Sequence, residues 1–312
     1  MSSGVLVLSH DADDYVERLA GLRSAGVALR PAATAEHALQ VYDGQPVVLG
    51  QPDLVAAVLE RLPEVRWVQS TWAGVRPLLE LGRRDYLLTA ARDVFGPQMA
   101  EYVIGHLLAR EIRLAERRRR QGQREWWSAE SGTLEGKRMG IMGTGSIGRH
   151  LAAVAGAFDM NVTGYSRSGR DTPGFQRVYA EGQLERFLAE LDYLVCVLPD
   201  TPGTRHLLDE RAFGSLRPGC VLVNIGRGSL LDEAALLAAL GRGDLAAAVL
   251  DVFEEEPLPP ASPLWDAPGV TVTAHVSGTS RPAQIARLFA ANYNRWAAGE
   301  TPLHAVDFDR GY

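Results

Sequence analysis

At 312 residues, 46% hydrophobic and 22% charged, the chain has the length of about two domains and the composition of a globular protein with a substantial core. A net charge of −6 argues against a nucleic-acid partner, whose phosphates select basic surfaces. No apolar run is long enough to span a bilayer, so no membrane partner is expected.

The opening stretch MSSGVLVLSHDADDY carries no basic segment ahead of its short apolar run, and reads as a first buried strand rather than an export signal. A cytoplasmic location is expected by default. Cys196 and Cys220 both lie in apolar runs, YLVCVLP and GCVLVNIG. They read as buried thiols on strands, without a disulfide and without the neighbours a metal site needs.

Strand-like and helix-like segments alternate along the whole chain, the pattern of parallel sheets covered by helices. In the first part GVLVLS, QPVVLG, RWVQS and DYLLTA read as strands, and DYVERLAGLRSAG, TAEHALQVY and PDLVAAVLERL as helices. Pro52 and Asp53 suit the first turn of the last of these. A long helix is expected over about 97–121, opened by Pro97 and carrying Val103, Leu107 and Ile112 at helical spacing. A polar segment bearing tryptophans follows.

A second α/β series then runs through RMGIMG, NVTGYS, YLVCVL, GCVLVNIG, LAAAVLDVF and GVTVTAH. The final stretch RPAQIARLFAANYNRWAAGE reads as one more helix. Two helices thus bracket the second series, which suggests a domain inserted into a discontinuous first one: 1–97 with 282–312 on one side, 98–281 on the other. The arginines at 117–120, with Arg113 and Arg124, fit either a solvated helix end, where cations suit the dipole, or a contact between subunits.

The stretch GIMGTGSIGRHLA places Gly143, Gly145 and Gly148 in G-x-G-x-x-G spacing between an apolar strand and an amphipathic helix, with a further strand following. Gly143 would allow the tight turn, Gly145 the approach of a pyrophosphate to the backbone, and Gly148 close packing of helix on strand. The N–H groups of Ser146 and Ile147 would face the anion at the helix N-terminus.

Such a unit ordinarily ends its second strand in an aspartate or glutamate that accepts from the ribose 2′-hydroxyl of NAD and repels a 2′-phosphate. Here the strand ends GYSRSGR. Ser166 removes the repulsion, and Arg167, with Arg170 nearby, can pair with a phosphate. NADP(H) is therefore the expected cofactor, with NAD(H) possible.

Three further residues fall at the carboxyl ends of strands, where open α/β sheets bind ligands: Arg227 in VNIGRGSLLDEAAL, Glu256 in LDVFEEEPLP and His275 in TVTAHVSG. Together with GTGSIGRHLA, CVLPDTPGTRHLLD and AAAVLDVFEEEPLPPASPLW, these stretches cover nearly all of 139–281. The chain resembles the D-isomer-specific 2-hydroxyacid dehydrogenases. In the first part the likeness is thinner, resting on WVQSTWAGV and MAEYVIGHLLA. The serine and arginine after the second strand, with WAGV and PLPPASPLW, lean toward the glyoxylate/hydroxypyruvate reductase branch.

The resemblance implies an α/β fold of two doubly wound parallel-sheet domains, a Rossmann nucleotide domain inserted into a flavodoxin-like substrate domain. It implies that His275 is the general acid that protonates the keto oxygen as hydride arrives, and that Glu256 holds its imidazole and favours the protonated form. Arg227 would bind the substrate carboxylate and polarise the carbonyl. The backbone N–H groups of Gly74 and Val75 would hold that carboxylate from the other domain, and Asp251 would orient the cofactor carboxamide. Trp72 would line the pocket or pack in the core, and His106 would be structural.

The expected activity is NADPH-dependent reduction of a small 2-oxo acid to the D-2-hydroxy acid by a homodimer. Two rivals stand beside it: an NAD-linked dehydrogenase of lactate or phosphoglycerate type, and a non-catalytic dinucleotide-sensing regulator.

Overall fold

The computed structural model describes residues 4–311. They form two compact units: the residues up to Val94 together with those from Thr279 onward, and Phe95–Gly278.

The first unit is built on a sheet of five parallel strands, β1 (Gly4–Leu8), β2 (Ala28–Ala32), β3 (Val47–Gly50), β4 (Trp67–Ser70) and β5 (Leu87–Thr89), in the order β2-β1-β3-β4-β5. This is the flavodoxin-type doubly wound order. Every residue of β1, β3 and β4 is buried, as expected of strands covered on both faces. Trp67 shows how the closing helix joins this unit. Its ring stacks on Phe289 and lies against Trp296, both from the helix Pro282–Ala297, at centroid distances of 5.4 and 5.6 Å. Its indole N–H donates to Thr89 Oγ1 at 2.9 Å.

β2 has no counterpart among the strands expected from sequence. It reads ALRPA and buries only its last residue fully. Pro31, which lacks a ladder donor, is tolerated because β2 is an edge strand. Two stretches expected as single helices are interrupted. The first divides into Ala12–Arg18 and Ala20–Ser24. The other is Pro52–Ala56 followed by a 3₁₀ turn, Leu59–Arg61.

The second unit carries seven parallel strands, β6 (Arg138–Met142), β7 (Asn161–Tyr165), β8 (Arg177–Tyr179), β9 (Tyr193–Cys196), β10 (Cys220–Asn224), β11 (Leu245–Leu250) and β12 (Val270–Val272), in the order β12-β11-β10-β9-β6-β7-β8. The chain winds outward on one side from β6 and on the other from β9. The pair β6/β9 is therefore the switch point at which such sheets bind dinucleotides. The short edge strand β8 is also absent from the sequence reading. Both cysteines are free and buried, at the end of β9 and the start of β10.

The long helix expected over 97–121 is corrected to two, Gly96–Glu111 and Leu114–Gly122. The chain breaks at Arg113, whose φ of 53° is left-handed. The carbonyls freed there find other donors: Glu111 O accepts from Gly132 N at 2.9 Å and Ile112 O from Arg117 Nε at 2.7 Å. Among the described residues no helix is long and apolar enough to cross a membrane.

Candidate active site

The glycine turn joins β6 to the helix Ser146–Gly156. Gly143 has a φ of +110°, open to glycine but strained for other residues. A Cβ at Gly148 would lie 1.9 Å from the carbonyl oxygen of Gly143, so only glycine lets the helix sit this close to the strand end. A Cβ at Gly145 would meet nothing within 4 Å. The space above the turn is thus open at the one position where a ligand, rather than the protein, sets the steric demand. The helix has no side-chain cap and no acidic residue in its first turn. Its leading amides, Ser146 and Ile147 among them, have no acceptor within the helix. This cradle fits a pyrophosphate.

At the end of β7 the backbone of Ser166 is tied to the sheet by its N–H to Tyr179 O at 3.0 Å, while its Oγ is buried without a hydrogen-bond partner. Arg167, Ser168 and Arg170 are exposed beside it. A serine hydroxyl seeking a partner and two arginines, with no carboxylate at this position, fit a phosphate better than a ribose hydroxyl.

β10 ends in Asn224, a wholly buried polar residue. Its side chain closes the following turn, donating from Nδ2 to Arg227 O at 3.0 Å and accepting from Gly226 N at 3.1 Å. A Cβ on Gly228 would fall 1.8 Å from the carbonyl carbon of Phe253, so the turn carrying Arg227 rests directly on the loop after β11. Burial lowers the pKa of Arg227, and the charges of Asp200 and Glu256 oppose that shift. The guanidinium remains a cation with Nη1 on Gly226 O at 2.6 Å.

The loop after β11 presents Glu256. Its Oε1 accepts from Phe253 N at 3.0 Å and its Oε2 faces His275 Nδ1 at 2.8 Å. Burial pushes the carboxyl up, but the hydrogen bonds from His275 and the Phe253 amide outweigh it and hold the pKa below the ordinary glutamate value. Glu256 is therefore an ionised acceptor near neutrality. Nδ1 must carry the hydrogen it receives, which leaves Nε2 as the nitrogen facing outward. Of the neighbouring acids, Glu254 is engaged elsewhere, with His206 Nε2 at 2.6 Å and Arg205 Nη2 at 2.8 Å. Arg227, Glu256 and His275 thus gather at one edge of one sheet.

Asp251, for which the resemblance implied a contact to the cofactor carboxamide, is wholly buried. Its carboxylate accepts from Thr273 Oγ1 at 2.6 Å, Val276 N at 2.9 Å and Ser277 N at 2.9 Å. These supporting residues, Asn224, Thr273 and Ser277, escaped the sequence reading. The only signal for them was a polar residue at the end of an apolar run.

Trp72, Gly74 and Val75 lie in the first unit on the loop after β4. Trp72 stands outside the core, 37% exposed, and Val75 is buried. The loop is pinned at its base: Ser70 Oγ donates to Trp72 O at 2.8 Å, Ala91 N to the same oxygen at 3.0 Å, and Ser280 Oγ to Thr71 O at 2.6 Å. His106 packs against Tyr102 in a tilted contact, with ring centroids 4.6 Å apart.

Comparison with known proteins bears on the chain as a whole. The family model described as D-isomer specific 2-hydroxyacid dehydrogenase, NAD binding domain, matches residues 104–277. Glyoxylate/hydroxypyruvate reductase A of Serratia proteamaculans is 39% identical over 215 residues, 69% of either chain. A crystal structure of a D-isomer specific 2-hydroxyacid dehydrogenase family protein from Aeromonas salmonicida superposes with a TM-score of 0.93 at 40% identity, covering 99% of this chain and 100% of that one. An NADPH-dependent glyoxylate/hydroxypyruvate reductase from Sinorhizobium meliloti, solved with NADP and sulfate, gives 0.85 at 31% identity and 99% coverage of both.

Proposed function

Because the chain belongs to the D-isomer-specific 2-hydroxyacid dehydrogenase family, we propose that it is an NADPH-dependent reductase of small 2-oxo acids of the glyoxylate and hydroxypyruvate type, yielding the D-2-hydroxy acid. The observation that carries this reading is the Nδ1···Oε2 pairing of His275 with Glu256 at 2.8 Å, at the strand edge where Arg227 also emerges.

The first-turn amides around Gly145, Ser146 and Ile147 hold the pyrophosphate. Ser166 and Arg167 take the 2′-phosphate, which favours NADP(H) over NAD(H). When bound, NADPH supplies the hydride. Arg227 binds the substrate carboxylate and draws charge from the carbonyl. His275 gives the Nε2 proton to the keto oxygen, and Glu256 fixes the ring and balances its positive charge.

We further infer a homodimer. Trp126 is 98% exposed, and its neighbour Trp127 is flanked by the guanidinium groups of Arg113, Arg117 and Arg120 at 5.8, 5.4 and 5.8 Å from the ring centre. An exposed indole beside this arginine cluster suits a contact with a second copy of the chain. Two free thiols accord with a cytoplasmic location.

Initial rates of NADPH and NADH oxidation with glyoxylate, hydroxypyruvate, pyruvate and longer 2-oxo acids test the proposal. Faster turnover with NADPH and the smaller acids is expected. Preference for NADH, or tight NADPH binding without turnover of any acid, contradicts it.

A further inference from the structure

The loop that presents His275 is held from beneath by a hydrogen-bond chain that starts on another element. Three consecutive amides converge on Asp251: His275 N donates to its backbone oxygen at 2.8 Å, Val276 N to Oδ1 and Ser277 N to Oδ2, each at 2.9 Å. His275 itself has a φ of +54°, a left-handed conformation that a non-glycine residue keeps only where its surroundings enforce it. Relaxation of that residue would swing the imidazole off Glu256. The Asp251 carboxylate is therefore the clamp that aims the ring, and its own orientation needs fixing.

Thr273 fixes it. Its hydroxyl has one proton and two nearby acceptors, Asp251 Oδ1 at 2.6 Å and Leu250 O at 3.5 Å. The shorter contact takes the proton. The phenol of Tyr102, 2.7 Å from Thr273 Oγ1, must then be the donor in that pair, since the threonine proton is already spent. Burial is the main cause that pushes the Tyr102 pKa up to about 12, so the phenol keeps its proton across the working range. Tyr102 belongs to the helix Gly96–Glu111, where the ring of His106, one turn on, packs against it at a tilt of 56°, with centroids 4.6 Å apart.

We propose that Tyr102 and Thr273 are positioning residues for His275, acting in series through Asp251. Neither touches the reacting atoms. Each sets the clamp that holds the proton donor in its strained, productive orientation. The inference rests on the reading of His275 as the proton donor.

The test is a double-mutant cycle with a conservative control. Thr273→Val removes the hydroxyl and keeps the shape, Thr273→Ser keeps the hydroxyl, and Tyr102→Phe removes the terminal donor. Thr273→Val should lower kcat about tenfold, the scale of a small misplacement at a reacting centre. Thr273→Ser should stay within about twofold of wild type and Tyr102→Phe should lose about threefold, all with NADPH affinity unchanged. The double variant Tyr102→Phe/Thr273→Val should be no slower than Thr273→Val alone, because the tyrosine acts only through the threonine. Independently of turnover, hydrogen exchange of the peptide spanning 275–278 in the cofactor-free protein should be faster in Thr273→Val and Tyr102→Phe, and unchanged in Thr273→Ser.

Wild-type exchange and wild-type kcat in Thr273→Val would overturn the proposal. So would losses that multiply in the double variant, or a Thr273→Ser as slow as Thr273→Val. His275→Ala separates the two levels. Retained turnover there removes the proton-donor reading, while exchange at 275–278 still decides whether the clamp exists.

Discussion

Replacing Gly145 by alanine, with Gly148→Ala as its counterpart, separates the ligand's needs from those of the fold. At Gly148 the new Cβ would lie 1.9 Å from Gly143 O and 3.1 Å from that carbonyl carbon. The obstacle is backbone, so the helix must lift off the strand end. Overpacking of this kind costs about 1–3 kcal/mol, enough to lower the melting temperature of the cofactor-free protein by several degrees. At Gly145 the Cβ would meet nothing within 4 Å, and the residue's φ of −74° is one alanine adopts freely. The cofactor-free protein should melt within about 0.5 kcal/mol of wild type.

The alanine methyl would nevertheless stand where the pyrophosphate approaches the first-turn amides. Hydrogen bonds to a charged group contribute about 1.5–3 kcal/mol each. Weakening two of them by half their value costs roughly 1.5–3 kcal/mol, or about 10- to 100-fold in dissociation constant. Thermal melts without cofactor and fluorescence titration with NADPH read the two effects separately. A Gly145→Ala protein that binds NADPH as wild type does would refute the assignment of this turn to the pyrophosphate.

Arg167→Ala should weaken NADPH about tenfold, the lower end of a charge-assisted contact at an exposed site, and leave NADH nearly unaffected. Equal losses for both in paired titrations would mean that the arginine does not read the 2′-phosphate. Glu256→Gln should destabilise the protein at pH 7 by about 1 kcal/mol or less, since the His275–Glu256 pair is partly solvated. The folded carboxyl has a pKa below its ordinary 4.5. Its stabilisation is therefore complete above that ordinary value and is lost as pH falls through the lower folded one. Melting temperatures of wild type and Glu256→Gln should accordingly converge as pH falls through that lowered folded pKa, and a gap that stays constant on acidification contradicts the coupling. Truncation of Trp126 to alanine should shift the sedimentation profile toward monomer; an unchanged dimer would place the interface elsewhere.

The parallel sheets were legible because their buried strands are continuous apolar runs punctuated by glycine and proline, as in GVLVL and YLVC. The glycine turn was legible for a related reason: close packing at Gly148 and positive φ at Gly143 admit no other residue without strain. What escaped were elements whose residues speak against their own conformation. β2 carries an arginine and a proline in the middle of a strand and survives only at a sheet edge. The helical periodicity over 97–121 continues through Arg113, and the carbonyls freed at the break are met by a distant donor, Gly132 N, and by the Arg117 side chain, neither of which the periodicity announces.

The same limit applies to the site. Arg227, Glu256 and His275 stand out as charged groups at strand ends. Asn224, Thr273 and Tyr102 are ordinary residue types whose importance lies in what they hold across gaps of three, twenty-two and 171 residues. Only the folded chain brings those partners within 3.0 Å.

The proposed reduction turns on one proton, delivered by His275. In His275→Ala, NADPH oxidation with saturating glyoxylate should fall by at least about 100-fold, the contribution of a positioned general acid, while the NADPH dissociation constant stays within about twofold of wild type. Turnover that remains within about tenfold of wild type, with cofactor binding intact, would mean that the proton reaches the keto oxygen from another group.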